Sequence, residues 1–362
     1  MIEEKDLQEL ASFQSENKSA LSLYLNTDLT QQPKEQCRLL LKELLGGLGE
    51  GAWAADVAHA ERFLDYEYDW QARGVVIFSD SEQKLWRTYS LELPIVNAAH
   101  TGESLYIRPL VNLMDRFGRY GLILVDREKA RFLVAYLGQI EEKGESSGKD
   151  LKRHKQGGFS ATRFQRQADR QAEQNLRQVA QATVSFCKVW GINRIVLAGS
   201  DTTLAEFMGM LPKTLAKLVV GTLPMDVETS ATEVMERSAE LVGEQRRQHE
   251  VVLVDQLVTA AAKGTNAVTG LADAFYVAHQ GRARELVVEQ DFEAEGYLCN
   301  GCGLMSTEPL AKCPSCGGHP QQVRDAVNRL VQMVISSGGT VTTVAGSTNL
   351  AEAGHVGALL RY

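Results

Sequence analysis

Apolar and polar residues follow two patterns along this chain, and the pattern changes every ten to fifteen residues. Strand-like runs are found at residues 20–26, 75–79, 84–90, 121–126, 130–137, 194–199, 217–223, 285–290, 340–344 and 358–361. Helical spacing is found at residues 37–48, 53–63, 204–211, 257–263, 270–280 and 323–336. This alternation predicts an α/β protein whose sheets are mixed or mostly parallel, with helices packed on them.

The order of these runs also predicts how the chain divides into domains. A chain of 362 residues is long enough for two or three domains of about 100 to 200 residues each. We expect an N-terminal α/β domain at residues 1–119, a middle domain at 120–250 and a C-terminal α/β domain at 251–362. The first of these shows no catalytic constellation.

A long polar segment followed by a long helix dominates the predicted middle domain. Residues 139–158 are predicted to form a loop, and loops of some twenty residues are usually functional or mobile. The helix that follows carries one apolar stripe, made of Phe164, Ala168, Ala172, Leu176, Val179, Ala180 and Val184.

The end of this loop and the start of the helix concentrate positive charge. Residues 149–177 hold eight Lys or Arg against three acids, whereas the whole chain has a formal net charge of -8. The candidate RNA-binding residues are Lys152, Arg153, His154, Lys155, Arg163, Arg166 and Arg170. Guanidinium groups bind phosphates bidentately, so this composition indicates a basic finger that enters a shaped RNA. A solvated charged face is the alternative.

Two glycines lie at the tip of the basic loop, in the sequence Gly157-Gly158-Phe159. Their backbone turns freely and approaches a partner closely. A backbone N–H on such a turn can stabilise a developing oxyanion, which makes these three residues the candidate catalytic group. The ring of Phe159 can instead stack on an exposed base.

Charge and hydropathy set the expected compartment. The longest apolar runs are shorter than the roughly 20 residues that a membrane span needs, and the N-terminus is polar and acidic. We therefore expect a cytoplasmic protein without a membrane partner. An acidic chain is also unsuited to coating DNA.

Four of the six cysteines form two pairs, Cys299-x-x-Cys302 and Cys313-x-x-Cys316, inside a module at about residues 297–319. Four thiolates at this spacing predict a closed, structural zinc site, with a redox pair or iron as alternatives. The other two, Cys37 and Cys187, are predicted to be buried small residues.

Several of these motifs resemble one family. Gly157-Gly158-Phe159-Ser160-Ala161-x-Arg163-Phe164-x-Arg166 is similar to the middle domain of the class 1 release factors of archaea and eukaryotes, where Gly-Gly-Gln precedes Ser-Ala-x-Arg-Phe. The strand at residues 120–126, the run at 270–274, the four-cysteine insert and the ending at 354–362 resemble further parts of that family. The resemblance covers residues 120–362.

The chain departs from the family in two places. Phe159 replaces the glutamine of the Gly-Gly-Gln tip, and the first domain lacks the Asn-Ile-Lys-Ser motif that reads stop codons. The chain therefore resembles the bacterial relatives of the release factor and Pelota family. The resemblance implies action on the ribosome, contact with rRNA and tRNA, and a translational GTPase as a possible partner.

The sequence is compatible with three functions. The protein binds the ribosomal A site in hibernation, rescue or surveillance, without reading a codon. Alternatively, it is an enzyme that hydrolyses peptidyl-tRNA, or cleaves tRNA, on stalled ribosomes. As a third possibility, it is a tRNA-shaped scaffold whose C-terminal domain binds a GTPase.

Overall fold

The computed structural model describes residues 2–49, 51–147, 159–346 and 348–362. They form two compact units, one made of Phe117–Gln248 and the other of Met1–Arg116 together with His249–Tyr362. Each unit is an α/β structure, so the predicted fold class is confirmed. The division into three domains stays a prediction. None of the helices in the described ranges combines the length and the apolar character that a membrane crossing requires.

The N-terminal part of the larger unit contains one sheet with helices around it. Its elements are α1 (Glu4–Ser12), β1 (Ala20–Asn26), α2 (Lys34–Gly46), α3 (Ala54–Tyr66), β2 (Gly74–Asp80), β3 (Leu85–Leu91), β4 (Ala98–Gly102) and α4 (Arg108–Arg116). The strand order is β3-β2-β1-β4, and Leu21, Leu23 and Leu25 on β1 pack against α2 and α3.

This sheet is antiparallel throughout, where the sequence predicted mixed or parallel pairing. Two consecutive helices, α2 and α3, separate β1 from β2. The chain therefore reverses direction once more than it would with a single connecting helix, and β2 runs antiparallel to β1. A tight turn then joins β2 to β3, and short turns of this kind connect only antiparallel strands.

The second unit has helices on both faces of one mixed sheet. Its elements are β5 (Tyr120–Val125), β6 (Lys129–Tyr136), β7 (Gln139–Ser147), α5 (Phe159–Trp190), β8 (Ile195–Gly199), α6 (Asp201–Met210), α7 (Lys213–Ala216), β9 (Val219–Pro224) and the start of α8 (Ala231–Ala262). The strand order is β7-β6-β5-β8-β9, in which β5, β8 and β9 are parallel. Side chains of α5 and α6 cover one face, and those of α8 cover the other.

The strand β7 corrects the predicted loop of residues 139–158 at residues 139–147, whereas residues 148–158 lie outside the described residues. Leu137 and Gly138 have φ of 48° and 81°, which is the backbone of a two-residue hairpin turn. The chain reverses there and pairs β7 with β6 from Tyr136↔Gln139 to Lys129↔Ser147. Because β7 is an edge strand, polar side chains do not destabilise it. Its sequence therefore lacks the apolar alternation from which strands are predicted.

The C-terminal part of the larger unit contains a second mixed sheet and a small separate one. Its elements are β10 (Ala267–Thr269), α9 (Leu271–His279), β11 (Ala283–Glu289), β12 (Gly296–Cys299), β13 (Met305–Ser306), β14 (Pro320–Val323), α10 (Ala326–Ser336), β15 (Thr340–Val344), α11 (Thr348–Glu352) and β16 (Val356–Leu360). The main sheet has the order β10-β16-β11-β15, and the cysteine module forms the sheet β13-β12-β14.

Candidate functional site

The helix α5 begins at Phe159, directly after the two glycines of the predicted tip. Gly157, Gly158 and the basic residues Lys152, Arg153, His154 and Lys155 lie outside the described residues. Phe159 and Arg163 lie in the first turns of α5, and their side chains are also outside the described part. The structure therefore leaves the chemistry of the tip as a prediction.

Beyond these turns, α5 presents two arginines to solvent. Arg166 and Arg170 are both exposed and lie four residues apart, on neighbouring positions of one helix face. Among the described residues, neither guanidinium forms an ion pair with a carboxylate. Arg177, farther along, differs, because its Nη2 lies 2.7 Å from Oε1 of Glu173.

The opposite side of α5 fixes the orientation of these arginines. Ala172, Leu176 and Val179 are buried against the sheet, with at most 3% of their surface exposed. Asn175 is buried beside them and donates from Nδ2 to the carbonyl of Arg127 at 3.1 Å. Since Arg166 and Arg170 lie off this stripe, they point away from the sheet.

The buried stripe differs from the predicted one at residues 175, 183 and 184, and the side chain of Phe164 lies outside the described part of the chain. Val184 is 43% exposed, and Thr183 is fully buried in its place, with its hydroxyl donating to the carbonyl of Val179. Thr183 and Asn175 are absent from the predicted stripe because both are polar. Their spacing from Leu176 and Val179 is nevertheless helical and is the signal that could have placed them on the buried face.

The four predicted metal ligands come together in the cysteine module. The Sγ atoms of Cys299, Cys302, Cys313 and Cys316 all lie within 4.8 Å of one another. Sγ of Cys299 lies 3.4 Å from that of Cys316, and Sγ of Cys302 lies 3.5 Å from that of Cys313. For comparison, sulfurs about 2.3 Å from a tetrahedral zinc ion lie about 3.8 Å apart.

The two pairs are held by turns of the same design. The N–H of Gly303 donates to the carbonyl of Cys299 at 2.8 Å, and the N–H of Gly317 donates to that of Cys313 at 2.9 Å. Both glycines have positive φ, 73° and 75°, which other residues adopt only with strain. Each turn therefore holds its first cysteine in the same way.

Two more glycines allow the sulfurs to approach the backbone. A Cβ on Gly301 would lie 3.0 Å from Sγ of Cys316, and one on Gly318 would lie 3.1 Å from Sγ of Cys299. At both positions a larger residue would crowd a sulfur atom, whereas the backbone φ imposes no restriction.

The electrostatics of the cluster favour a cation. The backbone N–H of Cys302 hydrogen-bonds the sulfur of Cys299 and lowers the pKa of that thiol to about 6. At Cys316 the N–H of Gly318 acts in the same sense, but the neighbouring sulfurs outweigh it and raise the pKa to about 12. Four thiolates are therefore compatible only when positive charge is shared among them, and the donor set fits zinc.

The other two cysteines are buried, as predicted. Cys37 is fully buried and Cys187 is 6% exposed. Burial raises the pKa of both thiols, that of Cys187 to about 11. Both are therefore protonated and unreactive at neutral pH.

Known proteins similar to this chain fall into one class. Residues 106–242, which include β5 to β9 and all of α5, match the family described as bacterial archaeo-eukaryotic release factor family 10. The peptide chain release factor subunit 1 of Pyrococcus abyssi is 23% identical over 318 residues, covering 78% of this chain and 76% of the relative. The same protein of Methanocaldococcus jannaschii is 26% identical over 313 residues, covering 76% and 74%.

The solved structures that are similar to this chain have low sequence identity to it. A structure of ribosome-bound archaeal Pelota with ABCE1 is 15% identical, covers 80% of this chain and 77% of its own, and has a TM-score of 0.45. At that score the structural likeness carries no argument about function. The family match over residues 106–242 and the relatives, which are 23% and 26% identical, show that the chain is similar to release factors of the archaeal type.

Proposed function

We propose that this protein is a ribosome-binding translation factor of the release-factor and Pelota type. It docks in the A site with its basic Gly-Gly-Phe loop directed toward the peptidyl-transferase centre. It acts in hibernation, rescue or surveillance and reads no stop codon. The observation that supports this most directly is the exposure of Arg166 and Arg170, which pair with no carboxylate of the described residues, on the helix that follows the two glycines.

The charge distribution supports binding through one narrow surface. A body with a net charge of -8 is repelled by rRNA, so attraction must come from a local concentration of cations. Arg166 and Arg170 already lie exposed, and no carboxylate of the described residues has to be displaced when they bind phosphate. Arg127, by contrast, is held by Asp169 and Glu206 at 3.2 and 3.1 Å.

The residue at the tip favours binding over efficient hydrolysis. The backbone N–H of Phe159 is retained, but a phenyl ring offers no hydrogen bond that could position water. Stacking of this ring on a base contributes about 1 to 3 kcal/mol. A tip of this composition therefore anchors the loop more effectively than it activates a nucleophile.

We also propose that the cysteine module holds one structural zinc ion. Cys299, Cys302, Cys313 and Cys316 would supply all four ligands and leave no open position for chemistry. The ion's contribution is to the folding of the short strands around it. A translational GTPase partner and a cytoplasmic location stay predictions.

Ribosome binding by charge-reversal variants tests the main proposal. Arg166→Glu combined with Arg170→Glu is expected to weaken binding to vacant ribosomes at least tenfold. It should also lower the slope of log affinity against log salt by about 1.5, because each phosphate contact contributes somewhat less than one. Arg237→Glu with Arg247→Glu changes the net charge equally on α8 and should leave both values unchanged. Equal affinities of the two double variants would contradict the proposal.

A peptide-release assay on ribosomes distinguishes binding from hydrolysis. Ribosomes carrying peptidyl-tRNA are incubated with the wild-type protein and with Gly158→Ala at saturating occupancy. We expect no release of peptide by either protein. Release that depends on the wild-type protein and is abolished by Gly158→Ala would establish the peptidyl-tRNA hydrolase alternative instead.

A further inference from the structure

The four sulfurs of the cysteine module differ in how far solvent reaches them. Cys299 and Cys313 are 2% and 4% exposed. Cys302 is partly exposed, and Cys316 is the exposed member. Attack by a small oxidant requires access to the sulfur, so the module has one vulnerable side.

The sulfurs are also arranged in two close pairs that join the turns. Cys299 lies 3.4 Å from Cys316 and Cys302 lies 3.5 Å from Cys313, with one cysteine of each pair on each turn. A disulfide needs a separation of about 2.05 Å. Each pair would thus close by about 1.4 Å, a movement that side-chain rotation can supply.

We propose that this module is a redox-sensitive site in which Cys316 is oxidised first and two disulfides, Cys299–Cys316 and Cys302–Cys313, replace the bound metal. The proposal rests on the zinc site proposed above. The oxidant is a peroxide, which is small enough to reach the exposed sulfur.

The chemistry takes place in two displacements. The Cys316 sulfur attacks one oxygen of hydrogen peroxide, which breaks the O–O bond, forms a sulfenic acid and releases hydroxide. The Cys299 sulfur then attacks the Cys316 sulfur and displaces a second hydroxide as the S–S bond forms. Two thiolates lose two electrons in all, and one peroxide is reduced to two hydroxides. A second peroxide oxidises Cys302 and Cys313 in the same way.

Oxidation would reach beyond the module. Disulfide sulfurs are poor zinc ligands, so the ion is released as the bonds form. The strand β13 of the module packs on α9, and Met305 on that strand is 4% exposed. Loss of the ion therefore alters the contact between this sheet and a helix of the C-terminal part.

Zinc release and thiol mapping on the full-length protein test this inference. Zinc content is measured first, and the protein is then exposed to hydrogen peroxide in the presence of a chromogenic zinc chelator. We expect release of the single bound zinc, with tryptic peptides joined as Cys299–Cys316 and Cys302–Cys313. A sulfenic-acid trap applied at early times should label Cys316 before the other three.

Two histidine variants supply matched controls. Cys316→His keeps four ligands and removes the exposed thiolate, so peroxide should release its zinc at least tenfold more slowly. Cys302→His keeps Cys316 and should release zinc at nearly the wild-type rate. Trapping in the wild-type protein decides the question if either variant fails to hold zinc.

The possible results distinguish failure of the redox inference from failure of the zinc site. Zinc in the untreated protein with early labelling at another cysteine, or with disulfides inside one turn, overturns the redox inference and leaves the metal site intact. Absence of zinc from protein prepared with zinc overturns both. Reversal of the oxidised state by dithiothreitol and zinc supports a switch over damage.

Discussion

Asp28 shows at the scale of one residue how a buried carboxylate can make stability depend on pH. Its side chain is 1% exposed and accepts hydrogen bonds from the hydroxyl of Thr30 at 2.6 Å and from Nη2 of Arg73 at 2.7 Å. The Thr30 hydroxyl, followed by Arg73, lowers the pKa of this carboxyl below its ordinary value of 3.8. The carboxylate is thus favoured in the folded state.

Replacing Asp28 by Asn is expected to lower the free energy of unfolding by about 2 kcal/mol at pH 7, because charged hydrogen bonds are lost. A carboxyl with a lowered folded pKa stabilises above its unfolded value, and the contribution disappears as pH falls through the folded value. The difference between wild type and Asp28→Asn should therefore be constant above pH 5 and shrink below pH 3.8. Thermal unfolding across pH 3 to 7 measures it. A difference that grows on acidification would contradict this assignment.

The hairpin between β6 and β7 depends on the backbone geometry of its two turn residues, Leu137 and Gly138. Leu137 has φ of 48° although it is not glycine, and it is 5% exposed, so burial of its side chain offsets the strain. Gly138 has φ of 81°. A larger residue at this position would adopt that φ only with strain.

Gly138→Ala is expected to destabilise the hairpin by about 1 kcal/mol, since alanine disfavours the left-handed region. Gly144→Ala is the matched control on the same hairpin, because its Cβ would meet open space at ordinary φ. Urea unfolding compares the two variants. Equal free energies of unfolding would show that the turn does not set the register.

Prediction of elements from the sequence succeeded where burial produced a pattern. The strand β1 was predicted with its observed bounds, because Leu21, Leu23 and Leu25 all face one core. The strand β7 was missed because an edge strand needs no apolar side. The helices α1 and α4 were not predicted either, since each buries only two apolar residues, Leu10 and Ala11 in α1 and Leu110 and Val111 in α4.

The candidate site was predictable to different degrees for a similar reason. The four cysteines were identified because metal ligands are constrained in type and spacing. The exposed Arg166 and Arg170 were predicted from helical spacing alone. The finding that no carboxylate of the described residues pairs with them could not be predicted, since it depends on which distant carboxylates the fold brings near.

At the scale of the molecule, segments far apart in sequence make one unit. Asn328 on α10 is 6% exposed, and its Oδ1 accepts from the backbone N–H of Ile107 and Arg108 at 3.1 and 3.2 Å. Its Nδ2 donates to the carbonyl of Leu105, which also accepts from Gln332 at 2.6 Å. The segment before α4 is thus bound to the C-terminal part through buried backbone groups. Because 221 residues separate Asn328 from Ile107, no local pattern could reveal this contact.

Asn328→Ala is expected to destabilise the unit formed by residues 1–116 and 249–362 by about 3 kcal/mol, because buried N–H groups lose their acceptor. Amide exchange at residues 105–116 should accelerate together with that of α10. Gln321→Ala, at an exposed position of β14, is the control and should change neither. Acceleration confined to α10 would mean that the two segments open independently.

Because α5 is long, insertions and deletions near its start have different effects from substitutions. Thirty-two residues make a rod about 48 Å long, and Ala172 is the first side chain in its described part to be buried. About 20 Å of axis lies between that anchor and Phe159. Each residue inserted or deleted there would rotate Phe159 by about 100° about the axis and shift it by 1.5 Å. If α5 positions the tip as proposed, a substitution at the tip changes its chemistry but not its direction, whereas an insertion or deletion between Phe159 and Ala172 redirects it.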